Sequence, residues 1–246
     1  MFAFPEALER LAREFVVRDI MVPEADLKWT HDRRQAIQLL DEYPDFDMIP
    51  IRTGGVLTTV HERGAAEARP IAVSDLVSDA TSIIDVVDIL VDRPRVFVLV
   101  RDHIGGYVHF SDLNHPTVKL PFFVLLEAVE RRFFEALKPR ITLEVLEQVL
   151  DFARCSTLKD KMSRLTATRA NLNWAAQLSF KEILLSARFL GAKGLDVPAI
   201  DLLSAVRNRV CHAATDDQLV EDHSHVRRLA QVRNLALELL GTWPLT

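Results

Sequence analysis

Residues 105–113 read GGYVHFSDL, and residues 54–62, GGVLTTVHE, have the same form earlier in the chain. A glycine pair supplies the positive φ that a tight hairpin turn needs, so each pair is expected to turn one strand into the next. Before each pair lies a short β-rich run, DMIPI at 47–51 and RVFVLV at 95–100. Before each run lies a helical pattern, DRRQAIQLLDEY at 32–43 and TSIIDVVDILVD at 81–92, with Pro44 and Pro94 marking the links to the strands. Further upstream VRDIM at 17–21 echoes VSDLV at 73–77. Both are read as opening strands, giving strand, helix, strand, turn, strand, helix start, taken twice.

That order resembles a tandem pair of CBS domains (βαββα repeats) over about residues 16–118, after an N-terminal helix at 1–15. The resemblance implies two clefts and an adenosine nucleotide (AMP, ADP or ATP) as regulatory ligand. The motif that carries it is a glycine, two apolar residues, a hydroxyl residue, two more, then Asp. In the second copy it implies Gly106, His109, Ser111 and Asp112 as nucleotide-binding residues. Asp112 would accept the ribose hydroxyl protons. His109 takes the phosphate-facing position, with Ser111 beside it, and a protonated histidine donates more strongly. Aligned on the glycines, the first copy keeps Thr58 but has His61 in the place of the Asp, so at most one good site is expected. The bland reading of Asp112 is a cap on a helix turn that follows a strand.

From residue 119 the β signal disappears. NHPTVKLP at 114–121 reads as a polar, proline-bearing linker. Amphipathic helices are expected at 122–137, 142–155, 158–167, 179–194, 196–214 and 217–241, a helical bundle over 119–246. The overall class is therefore α+β, a repeat module followed by an all-α bundle.

The helix at 196–214 begins apolar and ends in RNRVCH, residues 207–212. At about 100° per residue, Ile200, Leu203, Val206 and Val210 form one stripe. Asn208 and His212, four apart, share a face roughly opposite it, and Arg207 stands at the edge. This Arg-Asn-three residues-His pattern, late in a helical domain, resembles the HEPN family over about residues 120–241. The resemblance implies a metal-independent endoribonuclease leaving 2′,3′-cyclic phosphate ends, with no cofactor for catalysis. Arg207, Asn208 and His212 would be catalytic: Arg207 on the phosphate, His212 moving protons, Asn208 orienting them. One trio holds one histidine where the reaction benefits from an acid and a base, so a homodimer facing two motifs across one cleft is implied. RNA is the substrate and the partner copy the first partner; an antitoxin or other regulatory protein is a further one, if the chain is a toxin. The alternative is a non-catalytic, nucleotide-responsive dimerisation or adaptor protein. The bland reading of the motif itself is that Arg207 pairs with Asp201 or Asp216 and His212 caps carbonyls at a helix end, where the dipole favours cations.

Composition bounds these readings. Residues 1–118 hold 12 Lys+Arg against 20 Asp+Glu, and residues 119–246 hold 18 against 15, which accounts for the net charge of -5. A polyanion would prefer the back half. There is no apolar run of about 18 residues, so no membrane span is expected. The amphipathic, acidic start is unlike a signal peptide, and two cysteines make no disulfide framework, so a cytoplasmic location is expected. His223 and His225 stand two apart, diverging on a helix, and no Cys/His spacing suits a metal. Cys211 and His212, adjacent on a helix, diverge by about 100° and make a poor thiol–imidazole pair.

Overall fold

The computed structural model describes residues 4–167, 173–211 and 218–242. The chain divides into two compact units. One comprises Phe15–Val118 together with Val220–Val226; the other comprises α1 (Phe4–Arg13) and the helices from Lys119 onward.

The first unit holds the strands: β1 (Val22–Pro23), α2 (Arg33–Glu42), β2 (Met48–Thr53), β3 (Val56–Glu62), β4 (Arg69–Pro70), β5 (Leu76–Ser78), α3 (Ile83–Ile89), β6 (Arg95–Val100) and β7 (His103–His109). They form two sheets, ordered β1-β7-β6-β5 and β2-β3-β4. β5 is parallel to β6, and the other named pairs are antiparallel. α2 starts where the Asp32 carboxylate accepts the Gln35 N–H at 2.9 Å, and it buries Ala36 and Leu40, four apart, against Ile49 and Ile51. Met48, Val60 and Phe97 form a second cluster.

One residue offset relates the two copies. Moving each number by 47 (48 to 95, 62 to 109) carries the pair Met48↔Glu62 onto Arg95↔His109. The bulge moves with it, from Ile51/Arg52 to Val98/Leu99. β1 on β7, Val22↔Tyr107, likewise answers β4 on β3, Arg69↔Val60. The glycine pairs, 51 apart, miss this offset by four. Gly54 and Gly55 do make a turn, with φ of 60° and 88°. Gly105 and Gly106 do not; they lie inside β7, and the second hairpin turns at Arg101, with φ of 58°. A side chain on Gly106 would strike the Val22 carbonyl of β1, which is why the position needs glycine.

The expected opening strands are also corrected. Val17–Asp19 and Val73–Asp75 are 3-10 turns, and strands begin only at Val22 and Leu76. The aspartate decides this. Asp19 accepts the Val16 N–H at 3.2 Å, and Asp75 accepts the Ala72 N–H at 2.9 Å, each reaching back three residues to hold a tight turn.

In the second unit α4 (Pro116–Leu137) runs through the expected linker. Pro116 opens it, where the missing N–H has no helical partner to lose, and Pro121 removes only one bond. The stripe Phe122, Leu126, Val129, Phe133, Leu137 is buried and offsets that loss. The expected helix over 142–155 breaks instead. α5 (Leu143–Val149) ends at an extended Leu150, and Asp151 caps α6 (Phe152–Ala167) by accepting the Arg154 N–H at 2.8 Å. α7 (Phe180–Phe189) opens on a reciprocal Ser179–Glu182 capping box, and Arg154 grips Glu182 at 2.6 and 3.0 Å. α8 (Val197–Cys211) starts at Asp196, whose carboxylate accepts the Ala199 N–H at 2.8 Å, and buries Ile200, Leu203, Val206 and Val210 as the stripe requires. α9 (His223–Thr242) starts six residues later than its sequence pattern, capped by Asp222.

Candidate functional site

In the strand-rich unit a cleft of about 460 Å³ opens between β1, the start of β2 and the end of β7. His109 and Ser111 line it, with Tyr107 and Phe46 as aromatic surface and Lys28, Asp26, Asp45 and Asp47 as charged residues. β7 brings His109 there, and a 3-10 turn over Phe110–Asn114 follows at once.

That turn is the third of its kind. Asp112 accepts the His109 N–H at 2.7 Å, as Asp19 and Asp75 do in theirs. Asp112 thus caps its turn from the third position. Its setting differs from that of Asp75. Burial pushes the Asp75 carboxyl up, but the Arg69 hydrogen bond and the Ala72 N–H outweigh it and hold the group below the usual range. For Asp112 burial wins over the His109 N–H, and the carboxyl sits above the usual range. Its second oxygen makes no hydrogen bond among the described residues.

His109 was expected to donate to a phosphate, more strongly when protonated, and its surroundings oppose the protonated form. Burial pushes its imidazole below the ordinary value, against the pull of Asp47 and Asp112. Nδ1 accepts the Ser111 N–H at 3.3 Å and lies 2.8 Å from the Ser111 hydroxyl. The proton of the neutral ring is therefore on Nε2. Gly106 acts through β1, which passes against it, and does not line the cleft.

The 47-residue offset corrects the first copy. Glu62, not Thr58, stands at the His109 position, Gly64 at that of Ser111, and Ala65, not His61, at that of Asp112. His61 is instead buried. The related second cleft, about 290 Å³, is crossed by ion pairs. Arg95, with 8% of its side chain exposed, bridges Asp47 and Glu62, and Arg69 bridges Glu62 at 3.0 Å and Asp75 at 2.5 Å.

In the helical unit Asn208 is exposed and Arg207 half-buried on α8. His212 lies outside the described residues, as does Asp216. Arg207 does not pair with Asp201, which takes Lys181 at 2.7 Å. It reaches Glu130 of α4 at 3.5 Å. Burial raises the Glu130 carboxyl, and Arg207 pulls it back. Glu130 has no motif of its own; only the packing of α4 on α8 brings it to Arg207. Burial also raises the Cys211 thiol, leaving it protonated and unsuited to nucleophilic attack. Among the described residues no three His, Cys, Asp or Glu side chains gather as a metal site would need, and no helix is long and apolar enough to cross a membrane.

No family model matches the chain, and no curated protein matches it. Among solved structures it is similar to the CBS domain of the bacterial CNNM/CorC family Mg2+ transporter in complex with ATP. That likeness has 16% identity and a TM-score of 0.35, over 44% of this chain and 91% of that one. The same transporter's domain in complex with the inhibitor IGN95a gives 16% identity and a TM-score of 0.34, over 46% of this chain and 83% of that one.

Proposed function

We propose that the strand-rich unit binds an adenosine nucleotide at His109, Ser111 and Asp112, and that the helical unit is a metal-independent endoribonuclease acting through Arg207, Asn208 and His212 of two paired copies. The observation that carries the first half is the contrast between the related clefts. One is open, with the His109 imidazole, Ser111 and aromatic walls in its lining and Asp112 the next residue beyond that lining. The other is crossed by Arg95 and Arg69 with their carboxylate partners. The free Asp112 oxygen suits ribose hydroxyls, which donate. With Asp47 paired to Arg95, Asp26 and Asp45 stand against Lys28 in the lining, a balance that disfavours a long phosphate chain, so AMP is preferred over ATP.

The nuclease half rests on the RNRVCH motif and on the outward position of Asn208 on α8. In the reaction a ribose 2′-oxygen bonds to the adjacent phosphorus while the bond to the 5′-oxygen breaks. His212 of one copy takes the hydroxyl proton, and His212 of the other gives one to the leaving oxygen. Arg207 holds charge on the phosphate. The adaptor reading is favoured by one observation, the engagement of Arg207 by Glu130.

Incubation of purified protein with structured RNA in EDTA, with and without AMP, decides between them. The proposal expects cyclic-phosphate ends, lost by at least about a hundredfold in His212→Ala and Arg207→Ala. No cleavage by a folded dimer under either condition would establish the adaptor reading instead.

A further inference from the structure

The segment Val220–Val226 comes late in the chain but belongs to the strand-rich unit. Three contacts hold it there. The Asn114 side-chain amide locks onto the Val220 backbone in both directions: Nδ2 donates to the carbonyl at 2.7 Å, and Oδ1 accepts the N–H at 2.9 Å. His223 Nε2 meets the Leu90 carbonyl at 2.5 Å, and a carbonyl can only accept, so the imidazole donates. The His223 ring lies 5.8 Å from that of Phe110, which lies 4.3 Å from that of His109. Val220 and Val226 are buried.

Each of these contacts but one falls on the five-residue turn Phe110–Asn114 or on its cap His109. The same turn carries Ser111 and Asp112. It therefore has two working sides. His109 and Ser111 line the cleft, with Asp112 holding the His109 N–H between them, while Phe110 and Asn114 hold the strap. Buried Leu113 lies between them. A 3-10 turn rises only about 2 Å per residue, and its capping bond from His109 N to Asp112 fixes its first residues. Reshaping one side displaces the other.

We propose that this turn couples ligand occupancy to the seating of Val220–Val226: a nucleotide on Asp112 fastens the strap, and its departure loosens it. The ligand half of this rests on the nucleotide reading above. The strap begins eight residues past His212 in sequence and includes the first residues of α9. Coupling is reciprocal, so whatever loosens the strap weakens the ligand by the same factor.

Amide hydrogen exchange at Val220 in the full chain tests this in two arms. Without nucleotide, Asp112→Ala removes the acceptor for the His109 N–H and is expected to speed exchange at Val220 about five- to tenfold, while α8 amides report that the fold is intact. With saturating AMP, exchange at Val220 in the wild type is expected to slow by a similar factor. Asn114→Ala is expected to bind AMP about fivefold more weakly. Unchanged Val220 exchange in folded Asp112→Ala overturns the coupling. So does AMP that binds the wild type yet changes neither Val220 exchange nor, through Asn114→Ala, its own affinity. If Asp112→Ala loosens Val220 but AMP does not bind the wild type, the turn-to-strap linkage stands and the nucleotide reading falls.

Discussion

Asp112 accepts the His109 N–H through one oxygen, and the other makes no hydrogen bond among the described residues. The sequence offered turn cap and ribose ligand as alternatives; the structure shows the cap, which uses one of the two carboxylate oxygens of Asp112. Its neighbour His109 gives a pH prediction. Burial holds the folded imidazole neutral below the ordinary histidine range. As pH falls through about 6.5 the unfolded chain takes up a proton that the folded chain refuses. Stability contributed here is thus complete above that pH and falls as pH drops toward the folded value. Urea melts at pH 7.5 and 5.5 are expected to show a smaller loss in His109→Gln than in the wild type. Equal losses would mean that His109 is protonated in the fold. Arg207 carries a second prediction at this scale. Glu130→Gln removes its competing carboxylate, so RNA affinity is expected to rise roughly two- to fivefold, the range of a partly exposed ion pair. Filter binding of the His212→Ala background checks this without cleavage.

At the scale of elements, the glycines show what a sequence can and cannot tell. Helix, strand and hairpin were legible in each copy, because Asp32 before RRQAIQLL and the run RVFVLV carry their own signals. The alignment of the copies was not. Two glycine pairs look alike as letters, but Gly54–Gly55 needs positive φ while Gly105–Gly106 makes room for β1, a contact between distant residues. That likeness shifted the first copy by four residues and sent Thr58 and His61 to positions that belong to Glu62 and Ala65. The recurring V-x-D had a local signal that was misread: an aspartate reaching back three residues makes a turn, not a strand. Gly106→Ala is expected to cost about 1–3 kcal/mol, because the obstacle is the backbone of β1 rather than a side chain that can swing away. Thermal or urea unfolding measures it, and a loss below about 0.5 kcal/mol would show that β1 can shift freely.

At the scale of the whole molecule, sequence order and structural membership differ. Val220–Val226, read as part of the last helix pattern, packs into the strand-rich unit through Asn114, which was read as linker. No local pattern announces such a contact, since its partners are 106 residues apart. The same holds for Glu130 and Arg207. The stripe of α8 was legible because helical spacing alone sets it, whereas the partner of Arg207 depends on which helix packs beside it. The uneven charge, acidic before residue 119 and mildly basic after it, would turn a polyanion toward the back half.

The central claim is that one of two related clefts is a nucleotide site and the other is crossed by the chain's own ion pairs. Isothermal titration of AMP into the wild type and into Asp112→Ala tests it most directly. The account expects one site per chain, AMP tighter than ATP, and at least a tenfold loss in Asp112→Ala. Two equal sites per chain, or an affinity that Asp112→Ala leaves unchanged, would contradict it.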